Sequence, residues 1–154
     1  MFTVFIDGDQ GTTGLRVRER LAGREDITLL SLPEEKRKDL DARAAMARQA
    51  DATILCLPDA ASRELVAALG ESEGVILDAS TAHRTDPGFT YGFPELGAAQ
   101  AQAVRSARRI AVPGCHASGF VALMVPLLQT GILRPDFPAC CFSLTGYSGG
   151  GKSM

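Results

Sequence analysis

Short apolar runs alternate with helical segments from the start of the chain, and this alternation narrows the fold more than any other feature. Phe2 to Ile6, Ile27 to Ser31, Ala52 to Leu57 and Gly74 to Leu77 read as strands, and Thr13 to Ala22, Asp39 to Gln49 and Asp59 to Leu69 as helices. A βαβαβ order implies parallel strands, right-handed crossovers and a ligand site at the carboxyl ends of the strands. The expected fold is α/β, a doubly wound parallel Rossmann sheet. Its 154 residues suffice for one core without covalent staples. Pro135 to Pro138 marks a boundary, so residues 1–137 form the first domain, and an expected strand at Ala139 to Thr145 opens something new at 138–154. A long loop, Ser80 to Gly97, interrupts the alternation, and long ordered loops tend to carry function.

Composition removes several classes of function. The net charge of −2 offers no basic field to nucleic acid, and Arg105, Arg108 and Arg109 lack the interleaved aromatics of a base-stacking surface. Cys56, Cys115, Cys140 and Cys141 have no metal-ligand spacing, so no metal site is expected and a reduced cytoplasmic setting fits. Met1 to Ile6 lacks the basic region and cleavage site of a signal peptide, and the apolar run Phe120 to Leu128 is far shorter than the roughly 20 residues a membrane span needs.

Gly8-Asp9-Gln10-Gly11-Thr12-Thr13-Gly14 follows the first strand and opens a helix, the setting of a dinucleotide turn. Glycines there admit a pyrophosphate to the backbone, and the helix N-terminus stabilises its charge. The same pattern also suits an ordinary tight turn. At the end of the second strand, where an acid would bind a ribose 2′-hydroxyl, stands Ser31, followed by Lys36, Arg37 and Lys38. That combination suits a 2′-phosphate and hence NADP, while the three cations also fit a solvated loop.

Val112-Pro113-Gly114-Cys115-His116 carries the second chemical signal. Arg109 to Val112 reads as a short strand and Phe120 onward as an apolar helix, which puts Cys115 at a helix N-terminus. Unpaired N–H groups and the helix dipole favour a thiolate there, so Cys115 is a candidate nucleophile, or else a small buried cysteine that packs like alanine. His116 directly follows it, and adjacent helical residues point about 100° apart, a poor placement for the thiol's base. His83 is a loop histidine, of a kind usually solvated or hydrogen-bonded.

The glycine turn, Tyr91-Gly92-Phe93-Pro94-Glu95-Leu96, Val112-Pro113-Gly114-Cys115 and Gly146-Tyr147-Ser148-Gly149-Gly150-Gly151-Lys152 together resemble the shorter variety of N-acetyl-γ-glutamyl-phosphate reductase. The resemblance runs through the whole chain in order. It implies NADPH-dependent reduction of an acyl phosphate to an aldehyde in arginine biosynthesis, with Cys115 as the nucleophile that forms a thioester. It further implies a cofactor held by Gly8, Gln10, Gly11, Thr12, Thr13, Gly14, Ser31 and Ser80, and a substrate met by Arg84, Glu95, Ser148 and Gly149. Ser143 and Thr145 would line the substrate side. Without the resemblance, Arg84 reads equally as a surface residue and Glu95 as an acid near the start of a Leu96 to Val104 helix. The resemblance also implies that 138–154 begins an α+β catalytic domain, that the family's base histidine lies in a C-terminal half expected beyond Met154, and that the longer form is a homo-oligomer. Related acyl-phosphate reductases of the aspartate-semialdehyde or aminoadipyl-phosphate type share this chemistry, and a non-catalytic NADP-binding module fits the same residues. Gly146 to Ser153 also satisfies G-x-x-x-x-G-K-S, although the helix and Mg²⁺-binding acid that a phosphate loop requires do not follow.

Overall fold

A computed structural model describes residues 1–146. Six parallel strands form one sheet: β1 (Phe2–Asp7), β2 (Ile27–Leu30), β3 (Ala52–Leu55), β4 (Val75–Asp78), β5 (Thr90–Tyr91) and β6 (Arg109–Ala111), in the order β2-β1-β3-β4-β6-β5. Among the described residues, five α-helices connect or follow them: α1 (Thr12–Leu21), α2 (Leu40–Gln49), α3 (Asp59–Leu69), α4 (Ala98–Ser106) and α5 (Cys115–Gln129). The α/β doubly wound class expected from the sequence is the one observed. Sheet order reverses direction between β1 and β3, and the crevice at such a switch point is where open α/β sheets bind ligands.

Local chemistry sets the element boundaries. Asp39 caps α2 by accepting the N–H groups of Asp41 and Ala42, which would otherwise lack partners. Gly70 ends α3 at φ +57°, a conformation glycine adopts without a Cβ penalty. The core joins Phe5 of β1, Leu55 of β3 and Ile76 of β4 to Ala44 and Ala47 of α2 and Leu65, Val66 and Leu69 of α3. Residues on three parallel strands thus share one apolar layer with two helices, and their carboxyl ends are fixed relative to one another.

Three expectations are corrected. The segment Ala139 to Thr145 forms no strand: it has the right composition, but no ladder partner accompanies it among the described residues, and Phe142 and Leu144 remain 87% and 82% exposed. The loop 80–97 contains a two-residue strand, β5, too short to show periodicity and defined by its pairing with Ile110 and Ala111. The helix expected from Leu96 starts at Ala98, because Pro94–Leu96 winds as a 3-10 turn and Gly97, at φ +145°, separates the two.

Candidate functional site

The first half of the site is the turn between β1 and α1. At Gly8 φ is +85°, and a Cβ would stand 2.3 Å from the carbonyl oxygen of Cys56; at Gly14 it would stand 2.2 Å from that of Gly8. Both glycines are therefore demanded by close backbone approach. Gly11 caps α1, and its N–H donates to Gly8 O at 3.0 Å. Thr12 and Thr13 are exposed on the first helical turn, where backbone N–H groups lack helical acceptors. Gln10 is exposed and donates to Asp9 at 3.2 Å, while Arg18 holds the other oxygen of Asp9 at 2.7 Å.

Beside this turn lies a cavity of about 170 Å³ whose walls include Gly8, Gln10, Ser31, Arg37 and Leu57. The structure thus brings Ser31 to the glycine turn, as expected, and separates the three cations. Arg37 faces the cavity, whereas Lys36 and Lys38 are exposed residues outside its lining.

Beneath the turn is a buried pair that the sequence does not announce. Arg43 of α2 donates its Nε–H to Asp7 at 2.8 Å, and the Arg43 Nη2 is buried without a partner. Burial pushes the Asp7 carboxyl above its ordinary range, outweighing the opposing effect of Arg43. Burial, with Asp7 and Asp78 nearby, also pushes the Cys56 thiol up to about 11.

The second half of the site is the turn between β6 and α5. Cys115 is the first residue of α5 and is exposed, so the expected helix N-terminal placement holds and the alternative of a buried cysteine does not. A cleft of about 660 Å³ separates the first turns of α5 from residues 139–146, and Cys115, His116, Ser143 and Thr145 all line it. His116 shares the cleft with Cys115, and its Nδ1 is hydrogen-bonded to the Ser143 hydroxyl.

Arg84 reaches this turn from the end of β4. Its Nε–H donates to Val112 O at 3.1 Å and its Nη2 to Ala79 O at 3.4 Å. The guanidinium lies against Gly114, where a Cβ would stand 2.4 Å from Nη1. Gly114 is thus the seat of the arginine, a role invisible in the Pro-Gly-Cys motif itself.

Asp78, fully buried at the end of β4, accepts the Ser80 N–H and hydroxyl at 2.9 Å each and meets His83 Nδ1 at 2.5 Å. His83 is buried and stacks on Phe89 at 4.3 Å, one of the two ordinary fates of a loop histidine. The Ser80 hydroxyl also accepts the Ala82 N–H at 3.1 Å, so its bonds lie within the loop. Glu95 lies apart, in a groove of about 310 Å³ against Val121, Val125 and Gln129, a different face of α5 from that of the Cys115 cleft. Ser148 and Gly149, with most of the Gly146 to Ser153 motif, fall outside the described residues.

Two helix N-termini and an arginine therefore stand at the carboxyl edge of one sheet, one turn bare of side chains at its glycines and the other headed by an exposed thiol. Residues 9–104 match the family described as semialdehyde dehydrogenase, NAD binding domain. The chain belongs to this family. The chain is 51% identical over 151 residues to "N-acetyl-gamma-glutamyl-phosphate reductase" of Chelativorans sp. (strain BNC1), an alignment covering 98% of the chain and 49% of that protein. It spans about half the length of the curated relatives it matches. Among solved structures, "Aspartate Semialdehyde Dehydrogenase from Francisella tularensis" superposes with a TM-score of 0.62 at 17% identity, covering 85% of this chain and 42% of that one. "Crystal Structure of Aspartate Semialdehyde Dehydrogenase with NADP from Candida albicans" gives 0.58 at 15% identity, covering 84% and 47%. These two likenesses establish the fold of the chain. No helix among its described residues is long and apolar enough to cross a membrane.

Proposed function

We propose that the chain is the dinucleotide-binding, nucleophile-bearing part of a cytoplasmic NADPH-dependent reductase of N-acetyl-γ-glutamyl phosphate, with residues 1–137 as its Rossmann domain and 138–154 opening the catalytic domain. The observation that carries this reading is the meeting of Arg84 with the Cys115 turn, beside a glycine turn on the same sheet edge. A homo-oligomer is the working assembly of the longer form.

The cradle fits the cofactor. Gly8 and Gly14 leave the backbone bare, the first turn of α1 offers N–H groups through Gly11, Thr12 and Thr13, and Gln10 borders the cavity. Ser31 and Arg37 suit a 2′-phosphate, because a short hydroxyl leaves room for it and a guanidinium matches phosphate geometry. Ser80 belongs to the nicotinamide side. A dinucleotide held there would supply the hydride that reduces the carbonyl carbon.

The Cys115 thiolate attacks the acyl carbon, the carbon–oxygen bond to phosphate breaks, and phosphate leaves a thioester on Sγ. The N–H groups of the first turn of α5 stabilise the oxyanion, and Arg84 takes the departing phosphate with donors its two carbonyl partners leave unused. Once the carbonyl carbon is reduced, the hemithioacetal collapses, Sγ departs as thiolate and the semialdehyde is released. Glu95, Ser148 and Gly149 complete the substrate side. Neither His83 nor His116 offers a disengaged Nδ1 as a base, since Asp78 and Ser143 hold them.

The acylation half-reaction tests this reading without a second substrate. Incubation with N-acetyl-γ-glutamyl phosphate should add one N-acetylglutamyl group to Cys115, seen as a mass increase on its peptide together with released phosphate. β-Aspartyl phosphate should acylate it more slowly. An adduct spread evenly over Cys115, Cys140 and Cys141, or none at all, would overturn the proposal.

A further inference from the structure

We infer that Asp78 and His83 are positioning residues, whose buried hydrogen bond winds the loop after β4 so that Arg84 is delivered to the Cys115 turn. Arg84 is held there whatever it binds; its value for catalysis rests on the phosphate role proposed above.

The loop closes around a single carboxyl group. Oδ1 of Asp78 accepts the Ser80 N–H, and Oδ2 meets both the Ser80 hydroxyl and His83 Nδ1, so both ends of the segment 80–83 attach to one side chain. The acceptor beside it assigns the imidazole proton to Nδ1. Inside the loop, the Ser80 hydroxyl accepts the Ala82 N–H. On its outer side, Thr81 donates its N–H at 2.9 Å, and its hydroxyl, to Asp59 at the start of α3.

The anchor itself is immobile. Asp78 is fully buried, and its backbone is locked between strands, since its carbonyl accepts the Val112 N–H at 2.8 Å while Ala79 N–H donates to Leu55 O at 2.9 Å. His83 cannot swing away, because its ring stacks on Phe89 with the planes 12° apart. Arg84 is the next residue along. Its path to Val112 O and Gly114 starts from a backbone position that the His83 bond fixes. A long, rotamer-rich side chain reaches one partner reliably only if its origin is fixed, and misplacement near reacting atoms is costly. Asp78, the centre of this network, touches neither the cleft nor the cofactor cavity, so the pair acts through Arg84.

The test reads Arg84 directly in the 154-residue chain, as the ¹⁵N–¹H signal of its side-chain Nε–H, assigned by its loss in Arg84→Lys. The Arg43 Nε–H, bonded to Asp7, serves as an internal control. His83→Phe retains a ring against Phe89 and removes the Nδ1 donor; His83→Asn restores an N–H close to that place. The expected result is loss of the exchange-protected Arg84 signal in His83→Phe with Arg43 unchanged, and its retention in His83→Asn. Phosphate should then bind His83→Phe about tenfold more weakly than the parent by calorimetry. Persistence of the Arg84 signal in His83→Phe overturns the inference. Joint loss of both arginine signals also overturns it, since His83 would then support the whole fold. Failure of His83→Asn to restore the signal overturns the assignment to the hydrogen bond. If phosphate leaves the parent's Arg84 signal unmoved, the phosphate role falls, while the two His83 variants still decide whether the pair positions Arg84.

Discussion

The β1–α1 and β6–α5 turns have the same plan, a parallel strand running through glycine into a helix N-terminus, yet they are packed in opposite ways. The first is closed: Gly8 and Gly14 press backbone on backbone, and Cys56 beneath it is partly buried beside two carboxyl groups. The second is open: Gly114 makes room for a side chain, and Cys115 stands exposed at the head of a helix with no buried residue. A backbone turn can take a pyrophosphate only if it is rigid and bare, while a nucleophile has to be reachable and flanked by charge. On the proposed function, one local architecture serves both needs according to what its glycines exclude or admit.

The cysteines should break this comparison most visibly if it is wrong. With the Cys56 thiol pushed up to about 11, its thiolate fraction is lower by about tenfold for each unit above the ordinary value, so near pH 7 Cys115 should alkylate at least about 100-fold faster than Cys56. Limited iodoacetamide labelling mapped by mass spectrometry measures it, and Cys115 should also lead the exposed Cys140 and Cys141. The same shift has a sign for stability. The unfolded chain loses the Cys56 proton at lower pH than the folded one, so stability should fall as pH rises from about 8.5 towards 11. Urea melts across that range should show the decline, and Cys56→Ala should reduce it.

Next in size is Gly14→Ala. Its methyl group would meet the Gly8 carbonyl and the Asp9 Cα, backbone atoms that cannot yield as a flexible side chain does. A cost of about 1–3 kcal/mol in urea unfolding is expected, together with loss of dinucleotide binding by calorimetry. Arg37→Ala should act more narrowly, removing most of a preference for NADPH over NADH, about tenfold, while leaving Lys36→Ala and Lys38→Ala close to the parent. Equal effects from all three would mean a diffuse field, with no single contact. The smallest stability effect belongs to Gly114→Ala, because the Arg84 guanidinium can move aside; unfolding should change by less than about 1 kcal/mol. Acylation of Cys115 should nonetheless slow, separating the open turn from the closed one.

Whatever is decided within a few residues is legible in the sequence. Glycines between a strand and a helix and Cys115 at the start of α5 are local patterns, and each occupies the expected structure, while Asp39, expected as the first residue of its helix, stands just before α2 as its cap. Contacts between distant segments are not legible. Nothing near Gly114 names Arg84, nothing near Asp7 names Arg43, and Asp78 reads as no more than the residue after the Gly74 to Leu77 run until His83 folds onto it. The apolar run at Ala139 to Thr145 shows the converse: strand-like composition specifies an extended preference, but a ladder needs a neighbour. Among the expected site residues, those at the carboxyl ends of strands gather at the sheet edge, whereas Glu95, carried on a 3-10 turn, faces another groove.

The sheet order also governs how the chain reaches its native state. Phe2 pairs with Ile27, Val4 with Ala52, Ala52 with Val75 and Ile76 with Arg109, so no strand finds its partner across a short hairpin. Every ladder must wait for a helix-length loop to close, and loop closure opposes folding before any pairing compensates. β3 is the pivot, because it must recruit β1 from one side of the chain and β4 from the other. The binding edge cannot mature piecemeal: the glycine turn, the Asp78 anchor and the cysteine turn come into register only when that central strand has been captured from both directions.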